Sequence, residues 1–116
     1  MYVMKPIREP EILEILNKGR FGGDIEGYIL SDGGDLFGWS LFRTQDKVTH
    51  ILDILAPDTS FLDGLIRASV AYGQARGAEY FTLNRDIPDL LKYRQVFFED
   101  KGEKIACDDL FKPCHD

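Results

Sequence analysis

Few residues in this chain suit covalent or metal chemistry: two cysteines and two histidines among 116 residues. Cys107 and Cys114 are too few for a disulfide framework, and without a histidine pair nearby they make no zinc cage. They read as two free thiols, and the Cys114-His115 neighbours are only a weak metal signal, so no metal site is expected. Long hydrophobic runs are also missing. No segment approaches the ~18 apolar residues needed to span a bilayer, and Met1 to Ile7 is too brief an apolar run before charge to act as a secretory signal. A cytoplasmic protein with no membrane partner is the expectation. Positive charge is sparse, with 14 Lys and Arg against 20 Asp and Glu and a net charge of −6. Lys5, Arg8, Lys18, Arg20, Arg43 and Lys47 are scattered, whereas phosphate backbones need a concentrated basic surface, so no nucleic-acid partner is expected. The acidic balance serves solubility and mildly suits a cationic ligand such as an amine. Repeats, low-complexity tracts and Pro/Ser-rich linkers are absent, which predicts one domain over residues 1–116.

What is present is a regular alternation of β-rich and amphipathic segments. Met1 to Ile7 reads as a strand. Glu9 to Lys18 reads as a helix with Ile12, Leu13, Ile15 and Leu16 along one stripe, stopped by Gly19, Gly22 and Gly23. Runs at 27–31, 35–43 and 48–55 follow, separated by Ser31-Asp-Gly-Gly34 and Thr44-Gln-Asp-Lys47, which predicts an antiparallel meander. Pro57-Asp-Thr-Ser60 supplies capping side chains for a helix over Phe61 to Arg76, with Leu62, Leu65, Ile66, Ser69, Val70 and Gly73 at core spacing and Gly77 as a left-handed stop. A strand at 78–84 comes next, so the run at 48–55, the helix and this strand form a β-α-β crossover with parallel strands. A short helix over Pro88 to Phe97 and closing strands at Glu103 to Cys107 and Leu110 to Cys114 complete the chain. The fold class is α/β in the α+β sense: a mixed, mostly antiparallel sheet with a central crossover.

This order of elements resembles the GNAT acyltransferase superfamily, and three local segments echo it. Asp35-Leu-Phe-Gly-Trp-Ser-Leu-Phe42 looks like the family's third strand, Gly77-Ala78 like the end of its central helix, and Tyr93-Arg-Gln-Val-Phe-Phe98 like its Tyr-x-x-x-Gly-Phe segment. The resemblance implies acetyl transfer from acetyl-CoA to a small amine or peptide amine. It also implies cofactor contacts at Leu55, where the fourth strand ends, at Thr59 and Ser60, and at Asn84. In the family, a Gln/Arg-x-x-Gly-x-Gly/Ala loop offers backbone N–H groups to the pyrophosphate at a helix N-terminus. Here that loop is Pro57-Asp-Thr-Ser-Phe-Leu-Asp-Gly64: shorter, without its Arg and its close-packed glycines, and with Asp58 and Asp63 bringing like charge. The connection between Ile7 and Gly27 has room for one helix where the family places two. A degenerate cofactor loop therefore leaves two functions open: an N-acyltransferase, or a non-catalytic GNAT-like binding or interaction module that has lost acyl-CoA and serves a protein partner or a homodimer.

Two residues carry the chemistry if the chain is an enzyme. Tyr93 stands where family members place the acid that protonates the departing thiolate, although a tyrosine beside Phe97 and Phe98 also serves packing. Asp53 is the carboxylate of the fourth strand run, where strict alternation sets it with Thr49, Ile51 and Leu55, opposite His50, Leu52 and Ile54. An acid among apolar neighbours suits general base work, or sits exposed on an open sheet face. His50 reads as an exposed or satisfied histidine. Asn84 ends the strand after the crossover, where Asn-Arg-Asp is also ordinary turn chemistry. Phe37, Trp39 and Leu41 alternate on one face and are core candidates.

Overall fold

The computed structural model describes residues 1–99 and 101–111. Among them, six strands form one sheet in sequence order: β1 (Tyr2–Pro6), β2 (Glu26–Asp32), β3 (Asp35–Gln45), β4 (Val48–Leu55), β5 (Tyr80–Leu83) and β6 (Ile105–Ala106). Helix α1 (Pro10–Asn17) joins β1 to β2, α2 (Thr59–Ala75) joins β4 to β5, α3 (Pro88–Phe97) follows β5, and α4 (Cys107–Phe111) follows β6. All neighbouring strands pair antiparallel except β4 and β5, which pair parallel from Val48↔Tyr80 to Ile51↔Leu83. The predicted crossover and meander are both present.

Local chemistry explains the turns. Gly33 (φ 59°) and Gly34 (φ 95°) form the two-residue link between β2 and β3, and Asp46 (φ 53°) and Lys47 (φ 66°) repeat that geometry between β3 and β4. Two successive left-handed residues match the twist of the strands they join. Helix α2 begins at Thr59, two residues before the expected start, because Asp58 is its N-cap and accepts the Phe61 N–H at 2.9 Å. Its buried residues are Leu62, Leu65, Ile66, Ser69, Val70 and Gly73, the predicted stripe, and Gly77 (φ 96°) lets the Ala78 N–H return to the Gly73 carbonyl.

The main core lies between one sheet face and α2 with α3, and joins Phe42, Ile51, Ile54, Leu65, Ile66, Val70, Phe81 and Leu90. A smaller cluster of Ile7, Leu16 and Leu41, with Trp39 packed against it, lies under α1 on the opposite face. Gly38 fits the third strand because a β-carbon there would stand 2.5 Å from the Leu55 carbonyl oxygen.

Two expectations are corrected. The closing strand at Leu110 to Cys114 does not form in its described part: Leu110 and Phe111 belong to α4, and residues 112–114 lie outside the described residues, as does His115. The Cys107 N–H bonds to the Glu79 carbonyl, after which the chain turns, buries Leu110 and receives Arg67 Nη1 of α2 on the Leu110 carbonyl. The second correction is to the faces of β4. Leu41 pairs with Asp53 but Phe42 pairs with Ile51, so Leu52 is an extra residue, a bulge. Past it the alternation inverts. Asp53 leaves the face of Thr49 and Ile51 for that of Leu41, and Ile54 joins the main core instead.

Candidate functional site

The site is a consequence of where β4 and β5 part. Pairing stops at Ile51 and Leu83 while β4 continues to Leu55. Asn84 occupies the notch: its N–H donates to the Ile51 carbonyl at 3.0 Å, its Nδ2 donates to the Leu52 carbonyl at 2.9 Å, and its Oδ1 accepts the Asp86 N–H. The side chain expected to face a ligand thus closes the fork and turns the chain toward α3.

On the helix side of the sheet, the first turns of α2 and the face of α3 form a groove of about 390 Å³. Thr59, Leu62, Tyr93, Val96 and Phe97 line it, with Asp63, Asp89 and Lys92 among its polar side chains. Phe97 is 62% and Val96 64% exposed, so α3 presents an apolar edge to solvent here. At one end lies the α2 N-terminus. Asp58 satisfies the Phe61 N–H, and among the described residues the Thr59 and Ser60 N–H groups have no protein acceptor. Both are exposed, so the first turn keeps two donors for an anion, beside a capping carboxylate that opposes one.

Tyr93 forms part of the groove wall. Its hydroxyl donates to Asp63 Oδ1 at 2.5 Å, Arg67 Nε donates to Asp63 Oδ2 at 2.9 Å, and the Phe97 ring lies 4.8 Å away, centroid to centroid. Burial, then the hydrogen bond and charge of Asp63, push the phenol pKa well above the ordinary tyrosine value, with Arg67 opposing. The phenol stays protonated, and its proton is committed to a carboxylate.

The opposite sheet face carries Asp53 and Leu55. Asp53 is buried, and both its oxygens are engaged: Oδ1 accepts the Ile54 N–H at 2.9 Å, and Oδ2 accepts Arg20 Nη2 at 2.6 Å. Arg20 comes from the Gly-rich turn after α1 and also donates to the Leu16 and Asn17 carbonyls, so the pair clips that turn to the sheet. Leu55 is exposed. A polar basin of about 360 Å³ has a lining that includes Arg43, His50, Thr82, Arg85, Asp86 and Glu103. His50 Nδ1 and Thr82 Oγ1 are 2.8 Å apart. Burial, then the Arg43 guanidinium, hold the imidazole below its usual pKa, and Glu103 pulls the other way.

The structure therefore brings Thr59 and Tyr93 to one groove, leaves Ser60 exposed in the first turn of α2, sets Asn84 at the fork, and leaves Asp53 and Leu55 on the far face. Sequence reasoning missed Arg20, Arg43, Arg85 and Glu103. Arg43 had a signal: a two-residue link pairing Gln45 with Val48 sets Arg43 opposite His50. Asp63 and Arg67 also had one, being four residues apart on a helix. Among the described residues no three His, Cys, Asp or Glu side chains gather in a metal-binding group, and no helix is long and apolar enough to cross a membrane. Cys107 is buried, and burial followed by the Asp108 charge pushes its thiol pKa up to about 11.

No protein-family model matches the chain. No curated protein matches its sequence. Its architecture does match solved structures, among them an acetyltransferase of Bacillus subtilis in complex with CoA, with a TM-score of 0.54 and 15% identity over 82% of this chain and 74% of that one. The chain has an α/β, GNAT-like fold with a six-stranded, mostly antiparallel open sheet.

Proposed function

We propose that the chain is an acyltransferase that moves an acyl group from acyl-CoA, formally acetyl-CoA, to an amine. The observation that carries this is the apolar groove between α2 and α3, lined both by Thr59 at the α2 N-terminus, where among the described residues the Thr59 and Ser60 N–H groups have no protein acceptor, and by the Tyr93 phenol. An apolar groove that reaches a helix N-terminus fits a pantetheine arm followed by a pyrophosphate. Asp58 fits less well, because its carboxylate stands at the same N-terminus.

Acyl-CoA would supply an activated thioester. The Thr59 and Ser60 N–H groups would hold phosphate, and Leu62, Val96 and Phe97 would line the arm. Tyr93 would aid departure of the thiolate sulfur after letting go of Asp63. Because its pKa is raised above that of an ordinary thiol, it serves as a hydrogen-bond donor more readily than as the source of a full proton. On the amine side, Asp53 could accept a proton only after releasing Arg20. His50, neutral and with one nitrogen still unengaged among the described residues, is the better-placed base.

A second reading, a non-catalytic module, is favoured by one observation: the Asp58 charge at the α2 N-terminus. Calorimetric titration with acetyl-CoA and free CoA separates the two. Micromolar binding supports the enzyme, and Asp58→Asn, which keeps a capping oxygen but removes the charge, should tighten it by ~3-fold or more. No heat at millimolar ligand for wild type and variant would sink the acyltransferase reading and leave the module.

A further inference from the structure

We propose that the basin on the face opposite α2 is the acceptor site and that it takes a small zwitterion, an amine that also bears a carboxylate; this rests on the acyltransferase reading for its chemistry but not for its binding. The basin encloses about 360 Å³, at the small end of the range for ligand sites, which suits a free metabolite better than a folded protein surface. Its lining carries charge of both signs. Arg43 reaches it from β3, Arg85 and Asp86 from the turn after β5, and Glu103 from the segment before β6, so four charged side chains from three parts of the chain converge there.

The protein forms ion pairs elsewhere, such as Arg20 with Asp53 and Arg76 with Glu26, yet among the described residues Arg43, Arg85, Asp86 and Glu103 form none. Arg43 spends one nitrogen on the Gly22 carbonyl. A purely cationic amine entering the basin would face two guanidinium groups, and a purely anionic ligand would face two carboxylates. A molecule with both charges complements both sets, and one that lacks either meets like charge with no compensating partner. His50 and Thr82 line the same basin without adding charge. An ammonium held at Glu103 would lie near the imidazole that can take its proton, in a basin whose lining also includes Leu52, Leu83 and Asn84 at the fork of β4 and β5.

The test is direct binding, followed by calorimetry, of a graded series of ω-amino acids: glycine, β-alanine, 4-aminobutyrate and 6-aminohexanoate. Ethylamine, propionate and N-acetylglycine serve as single-charge controls, and acetyl-CoA is titrated separately. One or more members of the series should bind at least ~10-fold more tightly than every control. Arg85→Gln and Glu103→Gln, both at exposed positions, should each erase that preference without moving the melting temperature. The proposal is overturned if a single-charge control binds as well as the best zwitterion, if no zwitterion binds, or if the preference survives both substitutions. Zwitterion binding without acetyl-CoA binding would confirm the site while overturning the acyltransferase reading. Acetyl-CoA binding with transfer only to simple amines would do the reverse.

Discussion

Tyr93 Oη lies 2.5 Å from Asp63 Oδ1, so the phenol on the groove wall of α3 is tied to the helix that opens the groove. Two consequences separate on mutation. Tyr93→Phe removes a hydrogen bond to a charged group and should cost ~1–2 kcal/mol in denaturant unfolding. On the acyltransferase reading it should also lower kcat ~100-fold with little change in KM for acyl-CoA, since its bond to sulfur forms only as charge develops. Asp63→Asn should loosen the tie while keeping the phenol. If Tyr93→Phe lowers stability but leaves kcat intact, the tyrosine only holds α3 to α2.

Asp53 and Arg20 make a different kind of tie. The carboxylate side chain is 11% exposed and its arginine partner 39%, so water softens the pair on one side only. Arg20→Gln would leave a nearly buried carboxylate without its cation, and a loss of ~2 kcal/mol is expected, below the range for fully buried pairs because Arg20 is partly wet. Asp53→Asn keeps an oxygen for the Ile54 N–H, so the double variant Arg20→Gln/Asp53→Asn should recover most of the loss. A double-mutant cycle by urea unfolding reads the coupling, and a value near zero would mean that Arg20 does not hold the turn in solution.

The elements that were legible in the sequence are those whose signal is periodic. The stripe of α2 repeats at helical spacing, Gly77 marks its end, and turn residues at 33–34 and 46–47 fix the hairpin registers. The Leu52 bulge was not legible, because an extra strand residue changes no composition and is marked here by neither glycine nor proline. That one residue carries Asp53 to the other face, which alternation alone could not anticipate. The last segment was misread because Ile105, Cys107 and Leu110 are apolar at a spacing too short to tell strand from helix, and contacts with Glu79 and Arg67 decide it. The charged basin draws on three distant segments, and only the Arg43–His50 pairing lay within reach of local register.

Two glycines of α2 should respond oppositely to alanine. At Gly73 a β-carbon would fall on Thr49 Oγ1, inside the helix-to-sheet contact, so Gly73→Ala should destabilise by ~1–3 kcal/mol, and Thr49→Ala in the same chain should return part of that. At Gly64 the obstacle is the flexible end of Met4, 2.8 Å from the same construction, while alanine gains up to ~1 kcal/mol of helix propensity. Gly64→Ala should therefore be neutral or stabilising in thermal unfolding. Equal losses at both sites would contradict the close approach of α2 to β4 at Gly73.

His50 offers the most direct check of the electrostatics around the basin. Desolvation and Arg43 hold its pKa below the ordinary 6.5, so in the window just below 6.5 the folded state binds fewer protons than the unfolded chain. Its contribution to stability is therefore complete above pH 6.5 and is lost as pH falls through the depressed folded value. Proton NMR of the imidazole, with His115→Gln to remove the second histidine signal, should give a midpoint below 6.5. Arg43→Gln should raise that midpoint by removing a cation, whereas Glu103→Gln should lower it further by removing an anion. Opposite displacements require both side chains to sense the same ring across the basin. If the two variants move the midpoint in one direction, or leave it at 6.5, His50 is not flanked by charges of both signs, and the complementarity argued for a zwitterion fails with it.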